Sequence, residues 1–91
     1  MKVLEAKGVK YYSQQDEKVF FAWLDTIRAI KKYYGKGRTL YLEIDERRVR
    51  EETITELIAL FRRYRVSTKQ LGLLQTAENM TWMKKHRGIW T

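Results

Sequence analysis

Apolar residues along this chain recur mostly every third or fourth position and alternate with polar ones in only a few places, a pattern of helices mixed with short strands. The clearest period is Ile54, Leu57, Ile58, Phe61 and Tyr64, which predicts a helix over residues 51 to 65. Glu51 and Glu52 stand at its start and Arg62, Arg63 and Arg65 at its end, as the helix dipole favours. An earlier helix is predicted from Ser13, whose spacing to Asp16 is that of a capping box with aspartate in place of glutamate. At about 100° per residue, Phe20, Trp23, Leu24 and Ile27 share one face of that helix. Lys18, Asp25 and Arg28 lie opposite, and Phe21 falls on the charged side.

Leu40-Tyr41-Leu42-Glu43-Ile44 alternates strictly, the mark of a strand with one buried and one wet face. What precedes it depends on where the first helix ends. A helix running on to Tyr34 would be about 21 residues long, against a usual ~11 to 12, and would leave too few strands for a stable sheet. A helix ending near Ile27 or Arg28 instead lets residues 29 to 34 form a strand that turns at Gly35-Lys36-Gly37 into residues 38 to 45, and this hairpin is the preferred reading. Such a loop pairs Tyr34 with Arg38, Lys32 with Leu40 and Ile30 with Leu42. That register places Ile30, Tyr34, Leu40, Leu42 and Ile44 on one face, with Lys32 as a misfit, and Lys31, Tyr33, Thr39, Tyr41 and Glu43 on the other.

Residues 3 to 11 read as a strand with a bend or bulge at Gly8. Ser67 and Gln70 have capping-box spacing ahead of Leu71 and Leu74, while Leu71-Gly72-Leu73 alternates like a strand, so residues 68 to 75 stay open between helix and strand. Thr76 can cap a last helix carrying Met80 and Met83, Gly88 followed by Ile89 suits its stop, and Trp90 is expected to fold back onto the body. The order β-α-β-β-α, then a strand or helix, then a final helix, is that of an α+β two-layer sandwich with helices on one face of a small antiparallel sheet. With 91 residues, one domain over residues 1 to 91 is expected.

Composition narrows the function classes. The absence of cysteine removes disulfides, thiolate metal sites and cysteine nucleophiles, and fits a cytoplasmic setting. MKVLEAKG has no apolar stretch of the kind a signal peptide needs, and the longest apolar run, Val19 to Leu24, is too short to span a bilayer, so no membrane is expected as partner. The net charge of +8 is unevenly spread. Residues 1 to 25 balance, 26 to 38 hold five cations and no anion, 39 to 58 are net acidic, and 59 to 91 hold seven cations against one anion. Two basic segments flanking an acidic one favour an anionic macromolecule, nucleic acid or an acidic protein, as partner.

Gly35-Lys36-Gly37-Arg38-Thr39 has the composition of a phosphate loop in the wrong order of elements, because a strand follows it where a helix N-terminus is needed. Lys36-Gly37 opening a strand resembles the third strand of the RNA-recognition motif. Arg38 and Leu40 stand where that signature needs Phe or Tyr, and Val3-Leu4-Glu5-Ala6 lacks the partner aromatic, so no membership is inferred. The candidate anion or nucleic-acid contacts are therefore chemical: Lys31, Tyr33 and Tyr41 on a wet sheet face, Lys36 and Arg38 at its end, and Arg62, Arg63 and Arg65 at a helix end. Lysine stems shielding tyrosine rings, and cations placed for the helix dipole, are the purely structural counterparts.

His86 is the only histidine, and its spacing from Trp82 suits stacking. Asp45, Glu46, Glu51 and Glu52 lie among three arginines, which suits salt bridges over a metal cage. With no nucleophile motif, the expectation is a non-enzymatic binding module without cofactor or metal. A protein-interaction or regulatory module, including a toxin-neutralising partner or a homodimer using Trp82, Trp90, Met80 and Met83, is the alternative. The oligomeric expectation is monomer or homodimer.

Overall fold

The computed structural model describes residues 1–91. In chain order the elements are β1 (Lys2–Lys7), α1 (Gln14–Thr26), β2 (Ile30–Lys36), β3 (Thr39–Ile44), α2 (Glu51–Arg63), α3 (Met80–Lys85) and α4 (Arg87–Trp90). Two 3-10 turns, Glu46–Arg48 and Lys69–Leu74, link them. The strands form one antiparallel sheet in the order β1-β3-β2. This is the α+β architecture that the alternating and 3.6-residue patterns predict. Leu4, Ala6, Leu42 and Ile44 bury one face of the sheet with Phe20 and Leu24 of α1, Ile54, Leu57 and Phe61 of α2, and Leu71, Leu74, Met83 and Trp90. No polar side chain is buried. Each fully buried Leu, Ile or Phe contributes about 1.5–3 kcal/mol relative to exposure.

The first helix begins and ends locally. Ser13 Oγ accepts from the Asp16 N–H at 3.0 Å, while the Asp16 carboxylate accepts from Tyr12 N–H, one residue earlier than a standard box requires. At the other end the Thr26 hydroxyl donates to the Trp23 carbonyl at 2.7 Å, and Ile27 is already extended. The short helix leaves room for the hairpin.

The hairpin register differs from the expected one. Lys36 pairs with Thr39, Gly35 with Leu40, Tyr34 with Tyr41 and Tyr33 with Leu42, so the loop is the dipeptide Gly37-Arg38. Gly37 takes φ +63° at the first loop position and Arg38 stays at negative φ, the pattern of a II′ turn, whose twist matches that of the strands. Gly35 is a strand residue. A bulge at Lys31 then shifts β2 by one position before Ile30 meets Ile44. The inserted residue lets Ile30 and Tyr33, three apart, face the same side. Tyr33 therefore turns toward the helices, and Tyr34 takes the wet face.

Other expectations also shift. β1 ends at Lys7, and Gly8 at φ +60° turns the chain, with its N–H donating to the Arg38 carbonyl at 2.8 Å. Residues 69–74 are 3-10 helical, and the Ser67–Gln70 box does not form. The Gln70 amide instead pairs with the backbone of Glu5, accepting from its N–H at 2.7 Å and donating to its carbonyl at 2.8 Å. It acts as a one-residue strand on the outer edge of β1. Thr76 exchanges bonds with Asn79 across the turn before α3 and does not cap the helix itself, whose N-cap is Asn79. Gly88 lies inside α4 and not at a helix stop, because the chain breaks earlier, at His86. Trp90 folds onto the body as expected, its indole N–H donating to the Met83 carbonyl at 2.9 Å. A Cβ on Gly72 would lie 3.3 Å from the Trp90 ring, so the missing side chain at 72 makes room for it.

Candidate nucleic-acid interface

The sheet has one covered and one open face. Across the open face the strand register sets three rows: Val3, Glu43 and Lys32; Glu5, Tyr41 and Tyr34; and Lys7, Thr39 and Lys36. Tyr34 and Tyr41 stack with centroids 5.4 Å apart and planes 22° from parallel. Lys32 lies 5.8 Å from the Tyr34 centroid and bridges Glu43 at 3.6 Å, which holds the stack from one side. Tyr34 remains 43% exposed. Lys7 and Lys36 flank the next row with no carboxylate within 4.0 Å of either.

The Gly8–Arg38 hydrogen bond ties the hairpin turn to the bend after β1. Gly8 also lines, with Lys10, Tyr12, Arg63, Tyr64 and Arg65, a concavity of about 190 Å³. Lys10, Arg38, Arg63 and Arg65 are exposed, and none forms an ion pair. Tyr64 closes the inner wall, edge-on to Phe20 at 4.7 Å, its hydroxyl donating to the Asp16 carbonyl at 3.4 Å. Burial first, and then the nearby Asp16 carboxylate, raise its pKa above the usual tyrosine value.

Arg65 owes its position to the way α2 stops. Val66 N–H donates to the Phe61 carbonyl at 2.7 Å and Arg65 N–H to the Arg62 carbonyl at 3.4 Å, the two bonds of a Schellman motif. The residue between helix and tail must be left-handed, and Arg65 sits there at φ +58°, where glycine is usual. The conformation costs an L-residue about 1–2 kcal/mol. Buried Val66 anchors the motif.

Among the residues singled out from sequence, Arg63 and Arg65 line this concavity, Arg38 is joined to its Gly8 only through the backbone, and Lys36 stands in the Thr39 row of the sheet, one row from Tyr41. Lys31, Tyr33 and Tyr41 do not share a face: Lys31 is the exposed bulge residue. Tyr33 packs on Phe21 with centroids 5.5 Å apart and donates its hydroxyl to Asp25 at 2.8 Å, a bond that raises its pKa. The same pairing explains why Phe21 stands on the charged side of α1. Arg62 is engaged structurally, with Nε and Nη2 donating to the Ile89 carbonyl at 3.0 and 2.8 Å. Lys7, Lys10, Tyr12 and Tyr34 were not apparent from sequence, because only the register and the Gly8 bend bring them here.

The other arginine cluster is internally matched. Asp45 bridges Arg47 at 3.1 Å and Arg48 at 3.7 Å, and the Arg47 bond holds its carboxyl below the usual range. A concavity of about 380 Å³ with Arg28, Arg48 and Arg50 is also lined by Glu52 and Glu56. Trp82 stacks on His86 at 4.4 Å, as its spacing suggested. No group of three or more His, Cys, Asp or Glu side chains is placed to hold a metal ion, and no helix is long and apolar enough to cross a membrane. No family model, curated protein or solved structure matches this chain.

Proposed function

We propose that this protein is a non-enzymatic binding module for single-stranded nucleic acid. The observation that carries the reading is that six cations, Lys7 and Lys36 on the sheet, Arg38 at the hairpin turn, and Lys10, Arg63 and Arg65 around the concavity, are all unpaired, and that an uncovered sheet face carries a tyrosine stack. Cations neutralise phosphates without regard to sequence, and exposed aromatic faces accept bases only when these are unpaired. A stacked base contributes roughly 1 to 3 kcal/mol. A cytoplasmic setting belongs to the same reading.

Protein interaction by strand addition is less supported. Gln70 occupies the edge of β1, and the free edge of β2 carries a bulge and Lys31, Lys32 and Lys36, features that discourage pairing. An acidic protein docking on the basic end is the reading left to compete.

Fluorescence anisotropy with a labelled single-stranded oligonucleotide at low salt tests the proposal. Micromolar binding is expected, weakened by Lys36→Glu combined with Arg38→Glu, with the salt slope falling by about 0.7 for each phosphate left without its cation. No micromolar binding at low salt refutes it.

A further inference from the structure

We infer that the concavity between the Gly8 bend and the end of α2 seats the terminal phosphate monoester of the bound strand. This rests on the nucleic-acid reading and adds to it the recognition of a strand end. The internal phosphates of a strand are diesters with one charge each, which the open row of Lys7 and Lys36 suits. Lys10, Arg63 and Arg65 line one concavity, and no carboxylate lies within 4.0 Å of their charged nitrogens. Three cations are matched by a monoester, which carries about −1.5 to −2 at pH 7 and offers three strong acceptor oxygens.

The backbone supports the same assignment. Arg65 occupies a left-handed position that glycine would fill without strain, and strain of this kind is found where a side chain is needed for function. The negative end of α2 is partly neutralised there, since the Schellman bonds take up the Phe61 and Arg62 carbonyls. Gly8 has nothing within 4 Å of where a Cβ would stand, which leaves the backbone side of the concavity open. Tyr12, 84% exposed, stands at the rim. From there Lys7 and Thr39 lead to Tyr41, two residues along β3 or about 7 Å, so that the strand runs from the concavity onto the stack.

The test compares one oligonucleotide with a 5′-phosphate, a 3′-phosphate or hydroxyl ends, by anisotropy at fixed salt. One phosphorylated end is expected to bind about tenfold tighter than the hydroxyl form, the worth of one added charge-assisted hydrogen bond. The preference should fade below about pH 6, as the monoester loses its second charge. Arg65→Gly should abolish the preference while raising the melting temperature, because glycine relieves the left-handed strain; a loss of preference through misfolding would instead lower it. Equal binding of all three oligonucleotides overturns this assignment and leaves the nucleic-acid reading standing. An end preference that survives Arg65→Gly also overturns it. A phosphoserine peptide that binds as tightly as the phosphorylated oligonucleotide would assign the concavity to a phosphoprotein instead. Absence of binding to any oligonucleotide removes both readings.

Discussion

On the covered face of the sheet Leu4, Ala6, Leu42 and Ile44 are buried against the helices, while one residue along each strand the open face presents Tyr34, Tyr41, Lys7 and Lys36 to water. The two faces share a backbone and differ in what constrains them. Burial dictates the first, since any polar substitution there would strand a group without a partner. On the second, packing asks for little, yet two tyrosines stack there and Lys7 and Lys36 in the next row go unpaired. Stability therefore resides mainly on the covered face, and if the proposed binding uses the open one, the two should separate under mutation.

The sharpest separation is expected from Leu42→Ala. It removes a fully buried side chain from the middle strand and should cost about 2–5 kcal/mol, a large share of the ~5–15 kcal/mol that holds a small domain. Thermal unfolding followed by circular dichroism reads this, and a loss under about 1 kcal/mol would break the comparison. Next comes Gln70→Ala, which frees both backbone groups of Glu5 on the β1 edge and should cost about 1–2 kcal/mol. The uncovered edge should also make the variant associate, visible as a concentration-dependent rise in light scattering. A variant that melts normally and stays monodisperse would show that the edge needs no cover.

Tyr34→Ala works in the opposite direction. It removes only a cross-strand stack, so stability should change by less than about 1 kcal/mol, while oligonucleotide binding should weaken by roughly 1 to 3 kcal/mol. Tyr33→Ala should do the reverse, because Tyr33 packs against Phe21 and bonds Asp25. Equal binding defects in both variants would dissolve the distinction between neighbours. The smallest effect is one of pH. Tyr33, through its bond to Asp25, and Tyr64 and Tyr11, chiefly through burial, have folded pKa values above the usual 10.0. A raised folded value favours the protonated side chain in the native state. Its contribution is complete below pH 10 and is lost as pH rises from 10 through the folded values. Melting temperature followed from pH 9 to 11 should decline, with a smaller decline in Tyr33→Phe.

Much of the covered side was legible in the sequence. The period of Ile54, Leu57, Ile58 and Phe61 could only be a helix face, and a first helix of ordinary length, ending at Thr26, left room for a hairpin. The face assignment of β2 failed because strand parity is lost with a single inserted residue: a two-residue turn and the Lys31 bulge together exchanged Tyr33 and Tyr34. One signal pointed there, since Phe21 on the polar side of α1 needed a partner and Tyr33 is that partner. The basic end was not legible, because Gly8, Arg38 and Arg65 meet only through the fold. Gln70 was likewise hidden, its capping spacing being real and its long-range pairing with Glu5 invisible.

If the open face and basic end bind a polyanion, oligonucleotide affinity must fall with salt, and a salt titration decides the matter. Pairing of cations with three to six phosphates would give a straight line of log affinity against log salt with a slope of about −2 to −4. A slope in that range is expected, becoming shallower in Lys36→Glu combined with Arg38→Glu. Affinity independent of salt, or a slope untouched by that pair of substitutions, would contradict polyanion binding at this surface.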